Sequence, residues 1–188
     1  MPLAAITEIQ ADRVTVRPVG SADLMDLLEV SGDDAVTRHL PYATWNSIED
    51  GSAWLVRMQG LSASGTGQQL VIERHSDRKV IGTVLLFKFE ESSSRVELGY
   101  VLGRAHWRQG LAREALHAVC DHAFRRLTIR RIEAEVNPEN TASATLLQAL
   151  GFEREGLLRK RWVAKGVAYD TNIYGRLAAD WLGAQNTA

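Results

Sequence analysis

The run Trp107-Arg108-Gln109-Gly110-Leu111-Ala112-Arg113-Glu114-Ala115 has the residue types and spacing to hold a phosphate. Gly110 and Ala112 are small residues opening an amphipathic stretch that continues to about Leu127. The first turn of a helix leaves four backbone N–H groups without intrahelical partners, and these donors add to the positive end of the helix dipole. Glycine at 110 lets an anion approach the backbone, and alanine at 112 keeps the next turn narrow. Arg108 adds a charged donor beside that turn, and Arg113, one turn in, is a second phosphate candidate. The strand-like run Val96 to Leu102 leads into the turn, so strand, small-residue turn and helix start together suggest a site for a phosphorylated cofactor. The Walker pattern G-x-x-x-x-G-K-S/T is absent, as is G-x-G-x-x-G after a strand.

Two further groups have proton-transfer chemistry. Glu97 is the acidic residue on the strand that enters the phosphate turn, alternating with Val96 and Leu98 on the core side. Partial burial raises a carboxyl pKa into the range useful for a general base; the bland alternative is a cross-strand salt bridge. Asn140 has the chemistry of a helix N-cap, with Ser143 in the turn that follows. Cys120 lies mid-helix on an apolar stripe and reads as a buried structural thiol. The histidines, His39, His75, His106, His117 and His122, have no zinc-like spacing, so no metal site is expected.

Periodicity supplies the elements that must position these groups. Arg13 to Val19 alternates as an opening strand with Arg17 on the solvent side, stopping at Pro18. Ser21 or Asp23 caps a helix through about Val30, Asp33 to His39 forms a short turn, and Ser47 with Asp50 caps a helix running to Gly60. Leu61 to Gln68 reads as a loop. Strands follow over Gln69 to Arg74, Lys79 to Phe89 and Arg95 to Leu102, with Gly82 marking a bulge or a close approach. After the phosphate-seat helix come a strand, Arg130 to Val136, a short helix, Asn140 to Leu150, and strands Phe152 to Val163 and Ala168 to Leu177. No linker, repeat or low-complexity tail is found beyond Gly183 to Ala188. Antiparallel strands followed by a strand-helix-strand-helix-strand passage imply an α/β sandwich on a mixed sheet.

The 188 residues suit one domain over 1–188, with 45% apolar and 24% charged residues, as in an ordinary globular protein. A net charge of −1 argues against broad binding to nucleic acid or an anionic membrane. No apolar run is long enough to span a membrane, and Met1 to Asp12 does not read as a secretory signal. One cysteine excludes an internal disulfide and sets the cytoplasm as the default compartment.

The order x-x-Gln-Gly-x-Ala opening a long helix resembles the pyrophosphate-binding motif of the GNAT acyltransferase superfamily, in its RimJ/RimL ribosomal-protein N-acetyltransferase type. Glu97-Leu98-Gly99-Tyr100-Val101-Leu102 is similar to the family strand that lies beside pantetheine. Asn137 to Ser143, followed by Leu150-Gly151-Phe152, is similar to its N-x-x-S…G-F segment, and Gly156, Lys165-Gly166 and Tyr169-Asp170 fit the closing hairpin. Matches run in family order over a core from about Arg13 to Leu177.

The resemblance implies a mostly antiparallel α+β sheet flanked by helices and splayed where acetyl-CoA inserts. It implies direct acetyl transfer to a primary amine, with Arg108, Gln109, Gly110, Leu111, Ala112 and Arg113 at the phosphates. N–H groups of Val101 and Leu102 are then expected on the pantetheine, one of them polarising the thioester carbonyl. Asn140 is expected on the pantetheine and Ser143 near the thiol, with Glu97 and Ser143 as catalytic base and acid. Many members carry a general-acid tyrosine four residues before Gly-Phe, where this chain has Leu147; Trp162 stands where some relatives have an acidic residue. A protein N-terminal α-amine is the favoured acceptor: its pKa of about 7.7–8.0, against about 10.4 for lysine, leaves a base less to do. The segment His39 to Trp45 is expected to wall the acceptor cleft. A small-molecule amine acetyltransferase, a non-catalytic acyl-CoA sensor and a purely structural dimerisation module are the competing readings, and a homodimer is compatible with the main one.

Overall fold

The computed structural model describes residues 3–184, so the expected tail from Gly183 to Ala188 lies mostly outside them. Eight strands form one sheet in the order β1-β2-β3-β4-β5-β6-β8-β7. They are β1 (Ile9–Gln10), β2 (Val14–Pro18), β3 (Gln68–Arg74), β4 (Val80–Glu90), β5 (Arg95–Leu102), β6 (Arg131–Val136), β7 (Glu153–Ala164) and β8 (Val167–Leu177). Every neighbouring pair is antiparallel except β5 and β6. A parallel pair needs a crossover, and α4 (Leu111–Arg125) supplies it.

Alternation within the strands decides which face each side chain takes. Val96 and Leu98 of β5 and Ile132, Ala134 and Val136 of β6 join the main core beneath α4. Leu111, Ala115, Leu116, Val119, Cys120, Ala123 and Phe124 return the apolar stripe of α4 onto that core. The stripe belongs to a helix that ends at Arg125, two residues short of the expected Leu127. On the opposite face, α1 (Leu24–Ser31) and α3 (Ile48–Ala63) bring Leu24, Leu27, Trp54 and Leu55 onto Val71 and Val80. Between them lies α2 (Asp34–Thr37); α5 (Thr141–Ala149) follows β6, and α6 (Ala178–Ala184) follows β8.

Several local expectations change for physical reasons. Arg17 is not on the solvent side: it pairs with Asp23 and Glu73, each at 2.8 Å, and both carboxylates are buried. Asp23 therefore serves Arg17 and the Gly20 N–H and does not cap α1 with its side chain. Ser47 and Asp50 do form the reciprocal capping box on α3. That helix extends to Ala63, three residues into the segment expected as loop, the rest of which up to Gln68 is irregular. The two-residue β1 and the C-terminal α6 are too short or too weakly patterned to have been anticipated.

Gly82 marks a close approach that shapes the site. A Cβ there would collide with the Val101 carbonyl oxygen and come within 3.1 Å of Leu102 Cα. The contacts are to backbone, which cannot swing aside. Gly82→Ala is expected to cost about 1–3 kcal/mol of stability, the usual range for overpacking, and to displace Val101 and Leu102. Urea denaturation measures the first effect, and a weakened CoA affinity reports the second.

Candidate active site

Parallel pairing of β5 with β6 covers only Arg95 with Arg131, Val96 with Ile132, and Glu97 with Glu133. Beyond Glu97, β5 stays on β4 while β6 stays on β8, so the sheet opens into a fork. Gly103 N–H donates to the Ile81 carbonyl at 2.8 Å, which places Gly103 and Ile81 in a hydrogen-bonded pair. Antiparallel alternation then turns the backbone groups of Leu102, Tyr100 and Leu98 toward the fork and those of Val101 toward β4. In agreement, the Leu102 carbonyl accepts from Trp107 Nε1 at 2.7 Å, on the side away from β4.

At the open end of the fork stands the N-terminus of α4. Its N-cap is Gly110, with φ of 78° and no side-chain cap, and Arg108 two residues earlier also has positive φ. Left-handed backbone suits glycine and strains arginine, so this turn is held by its surroundings. Gln109 Nε2 donates to the Ala105 carbonyl at 2.8 Å, which ties the glutamine into the turn. Arg13 arrives from before β2: its Nη1 donates to the Gln109 carbonyl at 3.0 Å and its Nε pairs with Glu114 at 2.7 Å. Arg13 and Arg113 line a cleft at this uncapped helix end, with Arg108 two residues before it in the chain, a setting that suits a polyanion. Arg13 lies about a hundred residues away in sequence, and only its place at the head of the first strand signals it.

Across the fork, Asn140 caps α5, its Oδ1 accepting from Ser143 N–H at 3.1 Å. The cap uses the carbonyl oxygen and leaves the amide nitrogen as the group Asn140 offers a ligand. Tyr100 comes from β5, with its hydroxyl 2.6 Å from Ser143 Oγ and donating to the Ser143 carbonyl at 3.2 Å. Burial pushes the Tyr100 hydroxyl well above its ordinary pKa, so it stays protonated. The Ser143–Tyr100 pair was not anticipated, although Tyr100 sits in the strand motif itself. Leu147, one turn further along, is fully buried in the main core, where a polar group has no route to a ligand.

Glu97 closes the fork. It is 6% exposed and lies with Glu133 and Glu135 on the sheet face opposite α4. Burial raises its carboxyl pKa, against the pull of the ion pair with Lys88 at 2.7 Å. Base candidate and salt-bridge partner are therefore the same residue. Trp162 Nε1 donates to Glu135, and the Lys88 ammonium lies 5.3 Å from the Trp162 ring centroid. The I-E-A-E-V alternation of β6 was the available signal for Glu133 and Glu135.

Where the acceptor cleft was expected, Arg38, His39 and Leu40 face Asn137 to Glu139 and the β7–β8 turn across an open cleft. Burial and the nearby Arg38 lower the His39 pKa, favouring its neutral form. Trp45, expected in the same wall, instead packs in the second core at 5.4 Å from Trp54. Cys120 is buried, its thiol pushed up to about 12 by desolvation. Among the described residues no cluster of His, Cys, Asp and Glu has metal-holding geometry.

The model of the acetyltransferase (GNAT) domain matches residues 13–153. An uncharacterized N-acetyltransferase, p20 of Bacillus licheniformis, is 33% identical over 93% of this chain and 98% of its own. The ribosomal protein uS5-alanine N-acetyltransferase of Escherichia coli is 26% identical over 92% of each chain. In fold, Mycobacterium smegmatis RimJ in complex with CoA-disulfide superposes with a TM-score of 0.81 at 23% identity, over 95% of this chain and 94% of its own. The chain belongs to the GNAT acetyltransferase family and is an N-acetyltransferase, with the expected likeness to the RimJ type.

Gly110→Val tests the phosphate seat. The φ of 78° is strained for a β-branched residue, and a Cβ would stand 3.3 Å from Arg13 Nη2. The variant is expected to keep its circular dichroism spectrum and to lose at least about tenfold in CoA affinity, a little over 1.4 kcal/mol. Calorimetric titration with CoA checks it.

Proposed function

We propose that the protein transfers the acetyl group of acetyl-CoA directly to a primary amine, with protein N-terminal α-amines as the acceptor class. The observation that carries this reading is the fork: a strand edge open along Leu98 to Leu102, running from the uncapped start of α4 to Glu97. In this reading the pyrophosphate sits on the N–H groups of Leu111, Ala112 and Arg113, beside Arg13 and Arg108. The amide-bearing pantetheine arm then runs back along β5 like an added strand. Leu102 and Tyr100 pair with the arm, Val101 borders it, and Asn140 reaches it from α5. Leu98, nearest the closed end, is the N–H placed to polarise the thioester carbonyl.

Glu97 takes the acceptor's proton, and its raised pKa brings it closer to the amine it serves. The neutral amine attacks the carbonyl carbon, the C–S bond breaks, and the thiolate takes a proton from Ser143. Tyr100, held protonated at 2.6 Å from Ser143 Oγ, fixes the serine hydroxyl, which regains its proton from the nitrogen as that becomes an amide. An acceptor enters by the open cleft past His39 and Leu40. The likeness to an enzyme named a ribosomal protein uS5-alanine N-acetyltransferase supports a protein amine as acceptor. A single buried, protonated thiol is in keeping with work in the reducing cytoplasm.

Acetyl-CoA at ~100 times its dissociation constant should stabilise the fold by about 2.7 kcal/mol. A dose-dependent thermal shift with acetyl-CoA and CoA, and far less with ATP or NAD, is the expected result. No shift at millimolar acetyl-CoA overturns the proposal.

With a working acceptor peptide, kcat/KM should fall with decreasing pH through an acid limb above the ordinary carboxylate range, because Glu97 must be ionised to act. Glu97→Gln should remove that limb and cost about 10²–10⁴-fold in turnover. Ser143→Ala should lower turnover more than CoA affinity. Tyr100→Phe, which removes both hydrogen bonds of the hydroxyl to Ser143, each worth about 0.5–1.5 kcal/mol, should cost about 5-fold or more.

A further inference from the structure

One cation already stands where an acceptor amine has to arrive. The β4–β5 register breaks between Phe87 and Glu90, and within that bulge Lys88 takes a positive φ of 52°. Phe87 lies opposite Glu97, so regular alternation would point Lys88 to the other side of the sheet. The bulge turns it back. Lys88 Nζ lies 2.7 Å from Glu97 Oε2 and 3.7 Å from Glu135 Oε1. It also stands 5.2 Å from the Phe87 ring centroid and 5.3 Å from that of Trp162. Two carboxylates and two aromatic faces form a cage for a primary ammonium. Trp162 and Arg161 hold the Glu135 wall of the cage through Nε1 and Nη2. Glu97 is the last residue at which β5 pairs with β6, so the reactive end of an arm lying in the fork meets this cage.

We propose that Lys88 is a modification site, whose amine takes an acetyl group from acetyl-CoA bound in the fork of the same molecule. The inference rests on the acetyl-CoA reading above, with Glu97 as base. Glu97 accepts a proton from the Lys88 ammonium, and the freed lone pair forms an N–C bond to the thioester carbonyl carbon. The C–S bond breaks with its electron pair left on sulfur, the thiolate takes a proton from Ser143, and the nitrogen, on becoming an amide, gives up its second proton, which restores the serine hydroxyl. The products are the CoA thiol and Nε-acetyl-Lys88, with one proton passing from Glu97 to solvent. Acetylation removes the charge that holds Glu97 and Glu135, and so frees the cage for the ammonium of an external acceptor.

The test incubates the full chain with isotopically labelled acetyl-CoA and no acceptor, and follows each lysine by peptide mass spectrometry. Lys79 is the control for an ion-paired lysine elsewhere, bonded to Glu29 at 2.6 Å; Lys160 and Lys165 report spontaneous acetylation. Lys88 is expected to label at least about tenfold faster than these, the low side of what a positioned base supplies. Its rate constant should not change with protein concentration, and Glu97→Gln should bring it down to the Lys79 level. Lys88→Arg should remove that fast label and leave the other lysines as they were. Labelling no faster than Lys79, a rate that scales with protein concentration, or an unchanged rate in Glu97→Gln overturns the proposal. Thermal shift in the same samples separates the two levels of the argument. Failure of acetyl-CoA to bind removes the functional reading and this inference together, whereas acceptor turnover with Lys88 unlabelled removes this inference alone.

Discussion

Three residue pairs join the two halves of the sheet, and the site exists because there are no more than three. A full parallel pairing of β5 with β6 would satisfy the backbone of Leu98, Tyr100 and Leu102 and leave nothing for a ligand to bind. Each strand is instead held on its outer side, β5 by β4 and β6 by β8, so the gap is built into the strand pairing. Gly82 permits the tight β4–β5 contact, and the Trp107 indole holds the Leu102 carbonyl at the mouth. The crossover helix that parallel topology demands starts at that same mouth. Its uncapped end and the split strand edge are two results of one topological requirement.

Much of this was legible in the sequence because it depends on local pattern. Alternation in Val96-Glu97-Leu98 gives the strand and sets Glu97 apart from the core, and the Gly110–Ala112 spacing marks the helix start. Asn140 reads as a cap and is one. What stayed hidden depends on distant contacts. Arg13 reaches Gln109 and Glu114, and Arg17 reaches Asp23 and Glu73, across separations that no local pattern encodes. Trp45 looked like a cleft aromatic until α3 brought Trp54 beside it. Lys88 was invisible for another reason: a bulge reversed the face that alternation assigns to it.

The polar groups divide by face. Beneath α4 the interior is largely apolar, and the hydroxyls of Tyr100 and Ser143 at its edge satisfy one another. On the opposite face the carboxylates of β5 and β6 are interleaved with Lys88, Arg95, Arg131 and Arg161. Buried carboxylates need such partners, because an unpaired charge in low dielectric is costly. The sheet therefore separates a face furnished with hydroxyls from a face furnished with carboxylates. In the proposed mechanism these faces supply the proton donor and the proton acceptor on opposite sides of the strand edge.

The short seam also has a mechanical meaning. Strands β1–β5 and β6–β8 are two leaves, each laced by its own antiparallel ladder and meeting along a hinge of three pairs. Such a hinge is where a sheet opens at least cost, and local openings follow the weakest line of contacts. A strand-shaped guest lying between the leaves gives the exposed edge of β5 the partner it lacks, and it reaches from the head of α4 to the cap of α5. The leaves already share the core beneath α4, so a guest in the fork would tie them along their one unpaired line and serve as their missing rung.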